Sequence, residues 1–496
     1  MDSLPTVLLK PGEADRVVAG HPWIYQSSIL RLTQPAGDGE LVQLKDHRQR
    51  LLGVGFYNSK SKIHVRMLAP ERVTVDEAFF EQRIRAALEV RKKHLAEATS
   101  FRVVNAESDF LSGLIVDKYE DVLVLQTSSL GMDQRKPMVV AALQKIFAPR
   151  AMVERNDISS RKFEGLPDAN GVIAGEFDGK LTVKLNGLQF EVDLLGGQKT
   201  GLYLDQQVNY QRVADLIART PNAQVLDCFA FLGGFALHAA RAGAAHVHAI
   251  DQSEQAVATA SRNAAANGLS EPCSFETANV FDWLKAQTAT KRHEKVVPRF
   301  DCIVLDPPSF TRHRASVPDA LRGYKEIHLR ALKLLKPSGT LATFCCSHHV
   351  DAGMFQEVIL AAAFDARRIL RRVATYSQSP DHPVIPVIAE TEYLKGFAFE
   401  VARSAHPAWR GWQSRSGRSP VQRRDRRVSG AGHRSGVFPR RSAGGRKIDG
   451  AAATAIRATV KRAQHPPALL PVGAREGPAA GATKQFSLAP RRPPAR

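Results

Sequence analysis

Residues 205–402 show short apolar runs that alternate with amphipathic stretches, in which apolar residues recur every three or four positions. The apolar runs predict strands at 223–228, 246–250, 273–277, 301–305 and 340–345. The amphipathic stretches predict helices at 206–218, 234–242, 254–267, 319–335 and 352–363. A further run, KGFAFEVA, predicts a closing strand that ends near residue 402. Alternating strands and helices are typical of an α/β fold with a doubly wound, mostly parallel sheet.

Upstream of this region the pattern changes twice. Residues 1–75 hold short runs of alternating apolar and polar positions separated by turn residues, which predicts a small β-rich module. Residues 76–100 carry apolar side chains at helical spacing after an Asp-Glu start. Strand patterns return between about 101 and 195, as in FRVVNAESD, SGLIVDKY, DVLVLQTSS and LTVKLNGLQFEVDL. We interpret residues 76–195 as a compact central α/β domain with antiparallel pairings around a helix.

The charge of the chain is concentrated at one end. The whole sequence has a net charge of +20, but residues 401–496 alone contain 21 Lys and Arg against 3 Asp and Glu. The first 400 residues therefore have a net charge of only +2. Because the body is nearly neutral, overall charge cannot by itself indicate nucleic-acid binding, and that inference must come from individual sites.

The basic tail, residues 403–496, is rich in Arg, Gly, Ser, Pro and Ala and has little periodic hydrophobicity, which predicts disorder. Two interpretations compete. An Arg-rich arm binds RNA phosphates and folds on them, or the segment is the product of a shifted reading frame in GC-rich DNA. We expect the tail to be dispensable, so that deleting residues 403–496 leaves catalysis intact. Complete loss of turnover in that truncation would contradict this.

Several classes of protein are disfavoured. No run of about 18 consecutive apolar residues occurs, which argues against a membrane-spanning helix. The start, MDSLPTVLLKPGEADR, lacks the basic-then-apolar layout of a secretory signal. The five cysteines are odd in number and all fall between residues 228 and 346, which indicates a reducing compartment rather than a disulfide framework. The expected location is the cytoplasm.

A candidate cofactor loop lies in AQVLDCFAFLGGFALHAARAG, which has the pattern of a strand, a turn with Gly233 and Gly234, and a helix. Glycines allow the backbone to approach a ligand closely. Asp251 ends the next strand, 24 positions after Asp227, where an acid in a doubly wound sheet faces a ribose. Neither a G-x-G-x-x-G nor a Walker sequence occurs, and S-adenosylmethionine suits such a loop better than a dinucleotide. The alternative is that the glycines only permit tight strand-helix packing.

A second candidate loop follows the buried run FDCIVLD. Asp306 is expected at the carboxyl end of that strand, and Pro307 and Pro308 make the following loop rigid. Phe310 is placed to stack on a flipped base. A purely structural strand-to-loop turn is the alternative for the Asp-Pro-Pro triplet.

The next strand, TLATFCCSHHV, ends in Cys345 and Cys346, of which only one can point into the cleft if side chains alternate faces. A thiolate there would attack carbon 6 of a pyrimidine and make carbon 5 nucleophilic enough to take a methyl group. Asp306 would bind the base edge and, when protonated, stabilise charge developing at N3. No residue is assigned to remove the carbon-5 proton. The cluster with His348 and His349 also suggests zinc, but no second ligand pair lies at finger-like spacing, so we expect no metal.

These segments resemble a known family. LLGGQKTGLYLDQQVNY, DCFAFLGGFALHAARAGA, DQSEQAVATASRNAAANG, VLDPPSF, TFCCSHHVD and ETEYLKGF are similar to the bacterial large-subunit (23S) ribosomal RNA cytosine-5 methyltransferases, a class I S-adenosylmethionine-dependent family. HPWIYQSSI and GVGFYNSKSKIHVRML resemble that family's N-terminal PUA domain, a small RNA-binding β-barrel, and ESDFLSGLIVDKY its central domain. The resemblance covers residues 5–402 and implies a PUA-like domain at 1–75, a central α/β domain at 76–195 and a Rossmann-like methyltransferase domain at 196–402.

The resemblance implies roles for individual residues. Cys346 stands at the nucleophile position and Asp306 at the acid position of the second loop. From the residues themselves we expect Pro307, Pro308, Phe310 and His348 on the substrate side; the alternative for His348 and His349 is that they orient the loop or face solvent. The residues implied in cofactor binding are Gln198, Thr200, Gly201, Tyr203, Asp205, Gln206, Asp227, Phe229, Gly233, Gly234, Asp251, Asn279 and Asp306.

Two positions depart from the family pattern. Gln207 replaces the usual Arg of an Asp-Gln-Arg sequence, and Asn279 stands where an Asp often contacts adenine. An Asn amide can still accept a hydrogen bond from the adenine amino group, but without charge. Loss of an Arg fork weakens any carboxylate or phosphate clamp. Both changes bear on cofactor affinity rather than on the class of reaction.

Two other functions remain open at this point. An RNA guanine-N methyltransferase also uses an Asp-Pro-Pro-x-Phe loop but needs no thiol, so it would stay active after Cys346→Ala. A non-catalytic ribosome-assembly factor of the same fold would bind RNA without binding S-adenosylmethionine, as calorimetry would reveal. The sequence indicates neither the modified nucleotide nor whether naked RNA or a ribosomal particle is the substrate, and a homodimer is compatible with it.

Overall fold

The computed structural model describes residues 4–197, 201–290, 295–311 and 313–402. The predictions for Gln198, Thr200 and the tail 403–496 lie outside these ranges. In the described part of the chain no helix is long and apolar enough to cross a membrane. The described elements form three larger sheets and one hairpin. Along the chain, the sheets follow one another at the points where the pattern of apolar and polar residues changes.

The N-terminal sheet has six strands, as its alternating pattern predicts. They are β1 (Thr6–Leu9), β2 (Trp23–Tyr25), β3 (Ile29–Leu32), β4 (Leu41–Lys45), β5 (Leu51–Tyr57) and β6 (Ile63–Ala69), with the short helix α1 (Ala14–Val18) after β1. The spatial order is β2-β6-β5-β4-β1-β3, and only β1 and β4 run parallel. A separate apolar cluster, with Val7, Leu9, Val42, Leu44 and Val65 at its centre, fills this module.

The central region contains a five-stranded sheet with helices. The helices are α2 (Glu77–His94), α3 (Leu130–Gln134) and α4 (Lys136–Phe147), and the strands are β7 (Ser100–Asn105), β8 (Leu114–Tyr119), β9 (Val122–Thr127), β10 (Ala151–Arg155) and β11 (Asn170–Gly175). The order is β11-β10-β9-β8-β7. Helix α4 was not predicted. It is required because β9 and β10 are parallel, and parallel neighbours need a crossover connection, usually helical.

A hairpin precedes the last sheet. Its strands, β12 (Lys180–Leu185) and β13 (Leu188–Asp193), are the two halves of the predicted run LTVKLNGLQFEVDL. The turn between them, Asn186–Gly187, has positive φ at both residues, which is the conformation that an Asn-Gly pair favours in a two-residue hairpin.

The last sheet has seven strands in the order β16-β15-β14-β17-β18-β20-β19. They are β14 (Gln224–Cys228), β15 (His246–Asp251), β16 (Cys273–Thr277), β17 (Phe300–Leu305), β18 (Leu335–Cys345), β19 (Leu370–Ser377) and β20 (Lys395–Val401). The helices are α5 (Gln207–Ile217), α6 (Gly234–Arg241), α7 (Glu254–Ala266), α8 (Val280–Gln287), α9 (Val317–Leu334) and α10 (Ala352–Asp365). Strands β14–β18 are parallel, and β20 runs antiparallel between β18 and β19. The predicted mostly parallel α/β sheet is confirmed.

Each face of this sheet carries its own apolar core. Val225, Val304 and Ala342 belong to one cluster, while Leu226, Leu305 and Leu341 belong to the other. The split follows from the period of two along a strand, which sends successive side chains to opposite faces. Adjacent residues at a strand end therefore enter different surroundings.

Two elements of the sheet domain were missed by the sequence pattern. Helix α8 is only eight residues long, and β19 reads LRRVATYS, with one exposed side and two arginines. Strand β19 lies at the edge of the sheet, where charged residues are common and the alternation of apolar residues is weak.

Candidate active site

Four predicted side chains come together at one edge of the seven-stranded sheet. Asp227 is the penultimate residue of β14, Asp251 ends β15, and Asp306 and Cys346 directly follow β17 and β18. Cys228 pairs with Leu305, and Leu305 pairs with Thr343, so these strand ends are in register. The carboxyl ends of parallel strands are where open α/β sheets bind their ligands.

The glycine-containing loop between β14 and α6 is bent sharply. Phe229, Phe231 and Gly233 all have positive φ, at 66°, 50° and 85°. Gly234 cannot carry a side chain, because a Cβ there would lie 2.6 Å from the Tyr210 ring. Positive φ in non-glycine residues is strained and tends to occur at ligand sites. The loop is therefore held in a conformation that brings its backbone close to the strand ends.

Asp251 supports this loop from the next strand. Its Oδ2 accepts a hydrogen bond from the Phe231 backbone N–H at 2.9 Å, and its Oδ1 accepts one from the Ser253 backbone N–H at 2.9 Å. Each oxygen keeps a second lone pair, which can accept from a ribose hydroxyl. The side chain of Ser253 in turn caps helix α7.

Asp227 is a buried carboxylate that receives few hydrogen bonds from its surroundings. It is 1% exposed, and its two oxygens have no well-aligned hydrogen-bond partner among the described residues. Burial, together with the nearby charge of Asp306, raises the pKa of Asp227 well above its usual range, and the backbone of Ala236 opposes this only in part. A buried acid in this state is stabilised by a cationic ligand.

Further acids and a tyrosine line the same region. Asp205 is 9% exposed; its Oδ2 accepts from the Tyr393 hydroxyl at 2.7 Å, and its buried Oδ1 has no hydrogen-bond partner among the residues that the structure describes. Burial and the neighbouring charges of Asp306 and Asp205 raise the pKa of the Tyr203 phenol. The site thus collects several carboxylates around one partly buried tyrosine. That arrangement fits S-adenosylmethionine, whose sulfonium and ammonium groups are both positive.

Gln206 joins the cofactor segment to the second loop. Its Nε2 donates to Oδ2 of Asp306 at 3.0 Å, and its Oε1 accepts from Nδ2 of Asn209 at 2.7 Å. Asn209 also donates to the Ser377 carbonyl. Gly201, earlier in this segment, has a φ of 130° and packs against Leu194 and Tyr119, where a Cβ would clash.

Gln207, which stands where the motif was expected to have an Arg, makes a hydrogen bond inside the protein. Its Nε2 donates to Oδ2 of Asp381 at 3.0 Å, and both residues are buried. Asp381 also accepts from the backbone N–H of Arg102, in the central sheet. At this position a neutral amide therefore bonds to a buried carboxylate that also contacts the central sheet.

Asn279 is the N-cap of α8 and lies two residues after the end of β16, the strand that pairs with Asp251. Its Oδ1 accepts from the backbone N–H groups of Phe281 at 3.0 Å and Asp282 at 3.3 Å. A carbonyl oxygen has two lone pairs, and both donors of this N-cap use the Oδ1 atom that was expected to accept from the adenine amino group. The amide Nδ2, which is a donor, remains for contact with a ligand.

The two adjacent thiols lie on opposite sides of strand β18. Cys345 is fully buried in the core cluster beneath α9, and its Sγ donates to the Tyr324 hydroxyl at 3.3 Å. Cys346 is only partly buried, and its Sγ lies 4.0 Å from the Pro307 carbonyl oxygen. The thiol of Cys346 therefore faces the Asp-Pro-Pro loop.

The residues predicted to face the substrate differ in burial and in packing. Pro307 is buried and Pro308 exposed. The Phe310 ring lies 4.6 Å from the ring of Tyr324 and 5.5 Å from that of Phe281, so much of it packs on the core. His348 is open to solvent on one side and packs its ring on Tyr393, 5.7 Å away.

Lys395, at the start of β20, was not singled out by sequence reasoning. Its Nζ donates to the carbonyls of Ser347 and, at 2.8 Å, Val350, and so ties down the turn that follows Cys346. Burial lowers the pKa of Lys395, while the two neighbouring thiols act in the opposite direction. Tyr393 and Lys395 both lie in ETEYLKGF, a segment that carried the resemblance but had been given no role.

In the described ranges no three or more His, Cys, Asp or Glu side chains cluster in a way that could hold a metal ion. His348 and His349 follow the thiols in sequence without forming such a group.

The comparisons agree with this geometry. Residues 7–70 match the PUA-like domain family, and residues 165–385 match the S-adenosylmethionine-dependent methyltransferase family. The fold resembles a structure described as an S-adenosylmethionine-dependent methyltransferase from Streptococcus mutans, with a TM-score of 0.66 at 20% identity over 80% of this chain and 100% of that one.

The alignments with relatives of similar sequence cover nearly the whole length of each relative. "Ribosomal RNA large subunit methyltransferase I" of Shewanella amazonensis is 38% identical over 400 residues, covering 80% of this chain and 99% of the relative. The protein of the same name from Klebsiella pneumoniae is 36% identical over 407 residues, covering 81% and 99%. The resemblance seen in the motifs is confirmed, and the cofactor is S-adenosylmethionine. The chain therefore belongs to the family of S-adenosylmethionine-dependent methyltransferases that includes the ribosomal RNA large subunit methyltransferases I.

Proposed function

We propose that this chain is a cytoplasmic enzyme that methylates carbon 5 of a cytosine in 23S ribosomal RNA through a covalent adduct with Cys346. The observation that carries the proposal is the placement of the two thiols. Cys346 faces the Asp-Pro-Pro loop with its Sγ 4.0 Å from the Pro307 carbonyl, whereas Cys345 is buried against Tyr324. A guanine-N methyltransferase has no need of a thiol there. The names of the relatives support ribosomal RNA as the substrate.

The thiolate of Cys346 adds to carbon 6 of the cytosine, which breaks the carbon 5–carbon 6 double bond and places negative charge over N3 and O2. Carbon 5 then takes a methyl group, which S-adenosylmethionine would supply with cleavage of its sulfur–methyl bond and release of S-adenosylhomocysteine. The proton of carbon 5 leaves to solvent water, and the electrons of that carbon–hydrogen bond reform the double bond as the thiolate departs. The enzyme returns to its starting state, and the RNA gains one methyl in place of one proton.

Asp306 serves the substrate in this scheme. Its carboxyl group lies on the loop that Cys346 faces, so it can bind the N3 and N4 edge of the base and, when protonated, stabilise the charge that develops there. The hydrogen bond from Gln206 holds one carboxylate oxygen in place. His348, on the turn beyond Cys346, offers an imidazole at the rim for a further contact with the nucleotide.

Asp227, Asp251, Gly233 and Gly234 would hold the cofactor, which supplies an electrophilic methyl group when bound. Asp251 keeps free lone pairs towards the ribose, and the buried carboxylate of Asp227 gains a positive neighbour. Tyr203 and Asp205, in the segment before α5, would line the other side of the cofactor, because Tyr203 lies near Asp306 and Asp251. We assign Phe229, which has a strained backbone, to the adjacent wall.

The test is to identify the product. The purified chain is incubated with methyl-labelled S-adenosylmethionine and unmodified 23S ribosomal RNA, and the digested RNA is analysed by mass spectrometry. We expect labelled 5-methylcytidine. Labelled methylguanosine would assign the chain to the guanine class, and absence of product together with absence of S-adenosylmethionine binding would indicate a non-catalytic factor.

A further inference from the structure

A large aromatic side chain projects from the protein far along the chain from the cofactor and thiol residues. Phe163 is 72% exposed and lies in a short 3-10 turn, Ser159–Glu164, between β10 and β11. Single exposed apolar residues are common on protein surfaces, so exposure alone indicates nothing. What distinguishes Phe163 is the way its turn is held and the charges around it.

The turn is fixed by a buried charged residue on each side of Phe163. Arg161 is 1% exposed and donates to the Pro167 carbonyl at 2.9 Å and to Asp133 at 2.9 Å. Glu164 is 3% exposed and accepts from Ser61 and Asn58 and from Arg66 of the N-terminal sheet. The neighbouring Arg66 also keeps the pKa of Glu164 low despite the cost of its burial. Phe163 is therefore mounted rigidly at the junction of the N-terminal and central sheets.

The surroundings of the ring are basic. Lys162 is exposed beside it, and Lys60 and Lys62 are exposed on the loop that supplies Asn58 and Ser61. Lys60 lies directly on the turn, since its Cδ is 3.0 Å from where a Cβ of Gly165 would be. Gly165 has a φ of 76°, so a side chain at this position would be strained as well as crowded. Asp168 is the one exposed acid between Lys162 and Asn170.

We propose that Phe163, with Lys60, Lys62 and Lys162, forms a stacking platform for an unpaired base of the RNA substrate, outside the catalytic site. The proposal rests on the proposed function for the nature of the substrate. Proteins bind single-stranded nucleic acid by stacking bases on aromatic rings while cations follow the phosphates. An apolar protein partner would favour apolar neighbours around the ring, whereas Pro167 is the one other exposed apolar residue between 159 and 168. The remaining exposed residues of that stretch are polar, charged or glycine, namely Ser159, Ser160, Lys162, Gly165 and Asp168.

The experiment compares Phe163→Ala with Phe163→Trp, and uses Val297→Ala as control, because Val297 is 76% exposed on the loop before β17. The probe is a fluorescein-labelled, unstructured single-stranded RNA, whose binding is followed by anisotropy at several salt concentrations. We expect Phe163→Ala to weaken binding about 5- to 150-fold, the range for loss of one base stack. Phe163→Trp and Val297→Ala should bind like the unaltered chain. Lys162→Gln should reduce the slope of log affinity against log salt by about 0.7.

Equal affinity of Phe163→Ala and the unaltered chain for this RNA would overturn the proposal. If that variant then methylated naked RNA normally but ribosomal particles poorly, the ring would instead dock a protein. Thermal unfolding and S-adenosylmethionine affinity should stay unchanged in all variants, which separates a surface effect from misfolding. The outcome is independent of the reaction class, because RNA affinity is measured without turnover and a methylguanosine product would leave the Phe163 result standing.

Discussion

Gln206 donates a hydrogen bond from Nε2 to Oδ2 of Asp306 at 3.0 Å, across 100 residues of sequence. Asn209, in the first turn of α5, donates from Nδ2 to Oε1 of the same glutamine. The segment that precedes α5 and the loop that follows β17 are thereby held together by one amide. Any motion of Asp306 relative to the cofactor segment has to break this contact.

Gln206→Leu should therefore slow methyl transfer. The change removes a hydrogen bond to a carboxylate, worth about 1.5–3 kcal/mol, and frees Asp306 to adopt other orientations. If this contact is made in the transition state, kcat falls by about 10- to 100-fold. Steady-state kinetics on RNA would measure it.

Gln207→Leu is the matched control, because the neighbouring glutamine bonds to Asp381 rather than to Asp306. That variant should lose stability while keeping most of its kcat. A normal kcat for Gln206→Leu, or a larger loss for Gln207→Leu, would contradict the role given to Gln206.

Asn279→Asp should tighten S-adenosylmethionine binding. In the unaltered chain the amide oxygen is occupied by the cap of α8. A carboxylate would cap the helix with one oxygen and offer the other to the adenine amino group. We expect a gain in affinity of about tenfold, as for one added charge-assisted hydrogen bond, measured by calorimetry. Asn279→Ser preserves a cap without a second acceptor and should give no gain. Weaker binding by the Asp variant would argue that adenine does not lie beside residue 279.

Lys395→Met should make the Cys346 thiol less reactive near neutral pH. The ammonium of Lys395 lies near both thiols, and a nearby cation stabilises a thiolate. We expect alkylation of Cys346 to require a higher pH than in the unaltered chain, as followed by mass spectrometry of iodoacetamide-treated protein. Lys395→Arg keeps the charge and should restore the profile. An unchanged midpoint in the Met variant would limit Lys395 to holding the turn.

Acid should destabilise the fold through two buried histidines. Burial lowers the pKa of both His328 and His238 to about 4. Nδ1 of His328 donates to the Tyr324 carbonyl and its Nε2 accepts from Thr343, so the neutral ring is fully satisfied. The unfolded chain takes up these protons near pH 6.5 but the folded chain only near pH 4. Stability is therefore complete above pH 6.5 and falls as the pH drops towards 4, by about 2 kcal/mol per histidine at pH 5.

Urea unfolding at pH 7 and pH 5 would test this with His328→Gln. The loss of stability between the two pH values should be smaller in that variant. His47→Gln, at an exposed position, should behave like the unaltered chain. The same pH-dependent loss in His328→Gln and the unaltered chain would show that His328 is not a source of the acid sensitivity.

The sequence predicted the parallel strands because most of them are short apolar runs between amphipathic stretches; β16, which reads CSFET, has the weakest signal of this kind. It predicted the edge of the sheet that binds ligands because Asp227, Asp251 and Asp306 come at or near strand ends. It did not predict α4 or β19. Helix α4 is a short apolar stretch without a clear period, and β19 is an arginine-rich edge strand. Sequence patterns are weakest in such elements, because tertiary contacts rather than local preferences determine whether they form a helix or a strand.

For the site, alternation of side chains predicted that only one of two adjacent thiols reaches the cleft, and β18 shows the two thiols on opposite sides. The contributions of Tyr393 and Lys395 were not predictable in this way. They arise because β20 inserts antiparallel between β18 and β19, a long-range pairing with no local signal. The N-cap made by Asn279 could have been predicted from the sequence, because Asn before an amphipathic stretch is a recognised start of a helix.

The central claim is that Cys346, and not Cys345, bonds to the target base. RNA containing 5-fluorocytosine tests it, because fluorine at carbon 5 cannot leave as a proton does and the adduct persists. With S-adenosylmethionine present, the unaltered chain and Cys345→Ala should each form a denaturation-resistant complex with this RNA, while Cys346→Ala should form none and still bind the cofactor. A stable complex with Cys346→Ala, or its loss in Cys345→Ala alone, would contradict the account.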